Sequence, residues 1–130
     1  ALLRKLRSAS PESSILVLGP TDRMMRMRSG AVVLVQGIDK IIAAQRLACA
    51  ENGVAYWNAK RRMGGSGSIK DWMLAGLGQG DYVHFTATGY DKLAEILFAD
   101  EMRLYDQYLK VRVPVPAPTM ISDGQTSQSN

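Results

Sequence analysis

The stretch ILVLGP, Ile15–Pro20, decides the class of fold that this chain can form. Its branched and apolar residues favour a strand, and Gly19 and Pro20 stop it. The run is continuously apolar, which is typical of a strand that helices cover on both faces. A second run of this kind, VAYWN, lies at Val54–Asn58. We therefore expect a parallel sheet with buried strands at Ile15–Leu18 and Val54–Asn58.

Helical patterns precede, separate and follow these two strands. The opening segment ALLRKLR has a helical stripe, and from Ile38 apolar residues recur close to a 3.6-residue period until ENG at 51–53 stops the helix. A short helix is predicted over IKDWMLAGL, residues 69–77, and a long one after Thr86, a suitable N-cap. The long helix would present one apolar face, made of Tyr90, Leu93, Leu97, Leu104 and Tyr108.

Three other segments lack a helical period. Residues 21–30 are predicted to form a loop, AVVLVQG at 31–37 either a strand or a surface loop, and AKRRMGGSGS at 59–68 a basic turn followed by a glycine-rich loop. The order of elements indicates an α/β layered domain over residues 1–110, and the Pro, Ser and Gln content of residues 111–130 indicates a flexible tail. Two strands alone would leave apolar edges exposed, so the sequence predicts a missing half.

Composition narrows the class of protein. The chain has 130 residues, of which 46% are hydrophobic and 22% charged, as in globular domains, and no apolar run approaches the roughly 20 residues of a membrane span. The single cysteine, Cys49, excludes an internal disulfide and fits a buried thiol, and the single histidine excludes a Cys/His metal cluster. We expect no metal and no cofactor.

The net charge of +4 comes partly from the segment TDRMMRMRSG, residues 21–30. Its arginines fit a solvated loop, or a contact with an anionic substrate or polymer. A nucleic-acid-binding protein would show a stronger basic cluster with a recognisable module, so we expect no nucleic acid as partner.

The one histidine, His84, follows Asp81 in GDYVHFTATGY, residues 80–90. A carboxylate three residues before an imidazole can accept a hydrogen bond from its Nδ1, which leaves Nε2 able to take a proton from a nucleophile. The spacing alone is weak evidence, because a loop carboxylate beside a capping histidine gives the same pattern. Its place after two buried strands strengthens the catalytic interpretation, since ligands bind at the carboxyl ends of parallel strands.

Two blocks carry a resemblance to a known family: MGGSGSIKDW at Met63–Trp72 and GDYVHFTATGY at Gly80–Tyr90. Together with SILVLGP, they resemble the C-terminal half of SGNH (GDSL-like) hydrolases, especially bacterial carbohydrate esterases such as peptidoglycan O-acetylesterases. The resemblance implies a partial flavodoxin-like three-layer α/β/α sandwich with parallel strands. It also implies that Asp81 and His84 are the acid and base of a Ser-His-Asp triad.

The same resemblance defines what this sequence does not contain. The family takes its nucleophile from a Gly-Asp-Ser block and part of its oxyanion hole from a Gly-x-Asn-Asp block, and neither occurs in the 130 residues. Ser66 is a poor substitute, because it lacks the final glycine of a nucleophile elbow and does not follow a strand. Gly64 and Gly65, with Ser66, either let the backbone approach a substrate or only shape the loop.

The sequence therefore predicts the C-terminal part of a serine esterase that removes acetyl or short acyl groups from a carbohydrate, and that is inactive by itself. Its expected partners are the acylated carbohydrate and the missing N-terminal half, in cis or as a separate chain. Such an esterase would be periplasmic or extracellular, although the sequence alone does not fix the compartment. The alternative is a non-catalytic α/β interaction module that completes its sheet with a partner chain.

Overall fold

The structure, a computed structural model, describes residues 2–112. Five helices and four strands follow one another in the order α1 (Leu2–Ala9), β1 (Leu16–Leu18), β2 (Met24–Arg26), β3 (Val32–Leu34), α2 (Ile38–Glu51), β4 (Ala55–Trp57), α3 (Ala59–Met63), α4 (Ser68–Leu74) and α5 (Ala87–Arg112). The predicted tail, from residue 113 onward, lies outside the described residues.

The two predicted strands form a parallel pair. Leu16 lies opposite Ala55 and Leu18 opposite Trp57, and the ladder continues from Trp57 O to the amide of Gly19 at 2.8 Å. The predicted α/β class with a parallel sheet is confirmed. The segment that joins the strands contains α2, which begins at Ile38 and ends at Glu51, as its periodicity and its ENG stop predicted.

Helices lie on both faces of this sheet. Successive residues of a strand point to opposite faces. The Tyr56 hydroxyl donates to Oε1 of Gln45 in α2 at 3.2 Å, whereas the Trp57 indole donates to Oδ2 of Asp100 in α5 at 2.9 Å. Helix, sheet and helix therefore form three layers, as far as residues 2–112 extend.

A β-hairpin replaces the predicted loop at residues 21–30. Strand β2 pairs antiparallel with β3, and Met25 lies opposite Val33. The loop prediction was wrong because Met24–Arg26 carries no strand signal of its own and becomes a strand by pairing with β3. For AVVLVQG, the structure supports the strand alternative.

A second correction concerns AKRRM, which forms the short helix α3 and not a turn. The side chain of Asn58 caps it by accepting the backbone N–H of Arg61 at 3.0 Å. The glycine-rich part of the prediction, after Met63, is a turn between α3 and α4. Thr86 also caps as predicted, because its Oγ1 accepts the N–H of Gly89 at 3.1 Å.

The core lies between the hairpin, α4 and the start of α5. Its buried centre is Met63, Ile69, Trp72 and Phe85, with Met24, Leu93 and Ile96 among the residues packed against it. Trp72 and Phe85 meet edge to face with ring centroids 5.3 Å apart. Trp57 and Cys49 are buried elsewhere, as expected of core residues.

Strand β1 is not buried, contrary to expectation. Leu16 is 37% and Leu18 52% exposed, because among residues 2–112 β1 pairs only with β4 and its other edge is open. Burial of a parallel strand requires neighbours on both sides, which is the reason the sequence predicts a missing half.

None of the helices within residues 2–112 combines the length and the hydrophobicity that a membrane span requires.

Candidate active site

Asp81 and His84 lie on the loop that enters α5 and bind each other. Nδ1 of His84 is 2.6 Å from Oδ2 of Asp81. The other carboxylate oxygen, Oδ1, accepts the backbone N–H groups of Val83 at 2.9 Å and His84 at 3.0 Å. The carboxylate therefore closes the turn that carries the histidine and holds the imidazole at the same time.

These contacts determine which ring nitrogen carries the proton. The hydrogen bond from the His84 side chain, followed by the two backbone N–H groups, lowers the pKa of Asp81 from 3.8 to about 2. At neutral pH this carboxylate is ionised and can only accept, so Nδ1 must donate. In the neutral ring, Nε2 then has the free lone pair that a general base requires.

Backbone hydrogen bonds hold the loop on both sides of His84. The Gln79 amide donates to His84 O at 2.8 Å, and the Gln79 side chain donates to Phe85 O at 3.0 Å. Phe85 is only 4% exposed, so the residue after the histidine is anchored in the core. The imidazole therefore projects from a loop that hydrogen bonds and the buried Phe85 hold in place.

The hairpin supports the same loop from the other side. Tyr82 has a left-handed backbone, with φ of 61°, and its carbonyl accepts the N–H of Met24 in β2 at 3.0 Å. The Arg26 guanidinium stands over the Tyr82 ring, 5.5 Å from its centroid. The hairpin that sequence patterns missed is therefore in contact with the candidate catalytic loop.

The Asp–His pair is exposed. The side chains of His84 and Asp81 are 63% and 47% accessible, and the main cavities formed by residues 2–112 are lined by other side chains. An exposed side-chain pair of this kind contributes little to stability. Its geometry is compatible with a base and its orienting acid.

The predicted substrate-binding residues lie in the turn between α3 and α4. Gly64 and Gly65 have φ of 123° and 93°, values that L side chains rarely adopt, so the turn requires glycine there. Ser66 lines a cavity of about 90 Å³ together with Asp22 and Lys60. Among the hydrogen bonds of residues 2–112, Nδ1 of His84 is bound to Asp81 and none joins Ser66 to the histidine.

Sequence reasoning missed Asp22, which is 1% exposed. Its Oδ2 accepts the N–H of Ile69 at 3.1 Å, and this bond satisfies a donor in the first turn of α4. The position of Asp22 could have been predicted, because this residue follows the strand-ending Gly19-Pro20 and therefore lies near the carboxyl end of β1. Its burial against α4 was not readable from the sequence, since the contact spans 47 residues.

For a metal ion, residues 2–112 offer no cluster of three or more His, Cys, Asp or Glu side chains. The Asp81–His84 pair supplies acid–base chemistry at the loop. That pair can accept a proton at Nε2 and return it.

A parallel sheet with helices on both faces, and an Asp–His pair at the entrance to its last helix, is the arrangement expected of part of an SGNH-type hydrolase. Comparison with solved structures agrees: the chain is similar to a peptidoglycan O-acetylesterase, with a TM-score of 0.72 and 26% sequence identity over 82% of this chain. The resemblance recognised in the sequence is thereby confirmed. No protein-family model matches the chain, and no similar sequence was found among curated proteins.

The extent of the match is unequal for the two proteins. This chain spans 30% of the length of the esterase chain that it matches. The shared part therefore contains most of this chain and less than a third of the other protein.

Proposed function

We propose that this chain supplies the Asp–His part of a Ser-His-Asp triad in an esterase that removes acetyl or short acyl groups from a carbohydrate. The observation that carries the proposal is the 2.6 Å contact between His84 Nδ1 and Asp81 Oδ2, in a chain whose fold is similar to a peptidoglycan O-acetylesterase. Peptidoglycan is the substrate class that this likeness favours.

In the proposed reaction, Nε2 of His84 takes the proton from a serine hydroxyl as the serine oxygen attacks the ester carbonyl carbon. The imidazolium that forms is stabilised by the ionised Asp81. It then gives its proton to the sugar oxygen as the bond from the acyl carbon to that oxygen breaks, which leaves an acyl-serine. Water then attacks this acyl group as Nε2 takes one of its protons. Nε2 gives that proton to the serine oxygen as the bond from the acyl carbon to that oxygen breaks, which releases the acid and restores the serine.

The serine is proposed to come from another part of the protein or from a separate chain. Two features support this: the 130 residues contain no Gly-Asp-Ser block, and β1 has an open edge on which Leu18 is 52% exposed. A neighbouring strand on that edge would cover the leucines. The exposed Asp–His pair would be covered in the same way once a serine and its substrate faced it.

Assay of the 130-residue chain on p-nitrophenyl acetate tests the proposal. We expect no turnover above that of His84→Ala, because a base without its nucleophile gives at most residual catalysis. Adding the serine-bearing part as a separate chain should produce turnover that requires His84. Turnover by the chain alone that disappears in His84→Ala would contradict the division of the triad.

The open edge of β1 also favours a second candidate, a non-catalytic module that completes its sheet with a partner chain. Size-exclusion chromatography tests the second candidate, since a module of this kind pairs with another copy or partner whether or not His84 is present. A compact, stable monomer would count against it.

A further inference from the structure

A cavity of about 390 Å³ lies at the carboxyl end of β4, away from the Asp81–His84 pair. Four arginines line it: Arg46 from α2, Arg61 and Arg62 from α3, and Arg103 from α5. The chain brings these side chains together from three helices on both faces of the sheet. The sequence indicated a basic segment at Arg61 and Arg62, but gave no sign that Arg46 and Arg103 would join them.

The cavity carries excess positive charge. Its one carboxylate, Asp100, is already bound, because its Oδ2 accepts from the Trp57 indole at 2.9 Å and pairs with Nε of Arg62 at 2.8 Å. Arg103 lies 3.8 Å from the other oxygen of Asp100. Within residues 2–112, no carboxylate forms an ion pair with Arg46 or Arg61, so these two guanidinium groups are available to a ligand.

The chemistry of this lining favours an oxyanion. A guanidinium presents a planar fork of N–H donors that matches the two oxygens of a carboxylate or phosphate. Nucleic-acid bases would need exposed aromatic faces to stack on. The two aromatic residues of the cavity offer little of this, since Trp57 is buried and Tyr56 is half-buried.

We infer that this cavity binds an oxyanion, a carboxylate or phosphate group, through Arg46 and Arg61. The oxyanion site does not depend on ester hydrolysis. A further step, that the anion is a substituent of the glycan, rests on the proposed function. An acidic group held here would anchor the polymer while its ester is presented elsewhere on the protein.

Isothermal titration calorimetry on the 130-residue chain tests the inference. The probes are inorganic phosphate, oligogalacturonate as the carboxylate, and chitotriose as a neutral glycan. We expect binding of phosphate, oligogalacturonate or both, weakened by salt, and none of chitotriose. Stronger binding of phosphate or of oligogalacturonate identifies the source of the anion, and binding of neither overturns the site.

A pair of charge-matched variants separates the cavity from the overall charge of the protein. Arg46→Gln/Arg61→Gln removes two charges from the cavity, whereas Arg4→Gln/Arg112→Gln removes two exposed charges from α1 and from the last turn of α5. The first should weaken anion binding by about tenfold or more, the second by less than about twofold. Equal losses in both variants, or tighter binding of an oligonucleotide than of either anion, would overturn the inference. Neither variant alters Asp81 or His84, so an inactive esterase would leave this result unaffected.

Discussion

Replacement of Gly89 by alanine should destabilise the start of α5 and loosen the loop that holds His84. Gly89 is buried in the first turn of this helix. A Cβ there would overlap the carbonyl oxygen of Leu77, and would lie 2.8 Å from its carbonyl carbon and 3.1 Å from Cβ of Phe85. The Leu77 oxygen cannot move away freely, because it accepts the N–H of Thr86 at 2.9 Å.

The expected loss follows from two opposing effects. Overpacking against a fixed group costs about 1–3 kcal/mol, and the contact with backbone atoms places this case at the upper end. Replacing glycine by alanine within a helix stabilises the helix by about 1 kcal/mol, because alanine has the higher helix propensity. The free energy of unfolding should therefore fall by about 2 kcal/mol, and the displaced Phe85 should shift the NMR signals of the His84 ring.

Urea denaturation of Gly89→Ala and Gly80→Ala measures this effect with a matched control. Gly80 has nothing within 4 Å of a built Cβ, so the same substitution there should change the free energy by less than about 1 kcal/mol. Equal stabilities for the two variants would refute the proposed close approach of α5 to Leu77.

Two further predictions concern the same loop. The pKa of Asp81, followed by carboxyl carbon NMR, should lie at about 2, and His84→Ala should raise it toward the ordinary 3.8, because the largest cause of the shift is removed. Since this pKa is lower in the folded protein than in the unfolded chain, the stabilisation by the pair is present above pH 3.8 and is lost as the pH falls through about 2. An Asp81 that titrates near 3.8 in the unaltered chain would contradict the pairing. Thr86→Ala should lower the free energy of unfolding in urea by about 1 kcal/mol through loss of the cap, whereas Thr86→Ser should retain most of it.

The elements with a local signal were predictable from the sequence. Helix α2 has both a period and a glycine stop, and the parallel strands are short apolar runs bounded by turn residues. The pairing of Asp81 with His84 was also predictable, because three residues of separation place both on one turn. Asp81 and His84 are close in the sequence, and this alone brings their side chains close in the structure.

The features that failed depend on contacts between distant segments. Strand β2 exists because β3 pairs with it, and α3 is only five residues long, with Asn58 as its one recognisable signal. Asp22 is buried by a helix that follows 47 residues later, and the arginine cavity is assembled from three helices. Single-sequence periodicity contains none of this information.

The central claim is that His84 acts as the base for a serine that this chain does not contain. A chimera tests it most directly: this chain replaces the matching 30% of the peptidoglycan O-acetylesterase, which retains its own remaining part. Circular dichroism first establishes that the chimera and its variants fold, and hydrolysis of p-nitrophenyl acetate is then measured. Lys92→Ala, on the exposed surface of α5, is the control.

We predict turnover by the folded chimera and by Lys92→Ala, and a loss of about a thousandfold or more in His84→Ala, the order expected when one member of a triad is removed. Equal turnover by the folded chimera and its His84→Ala variant would contradict the account.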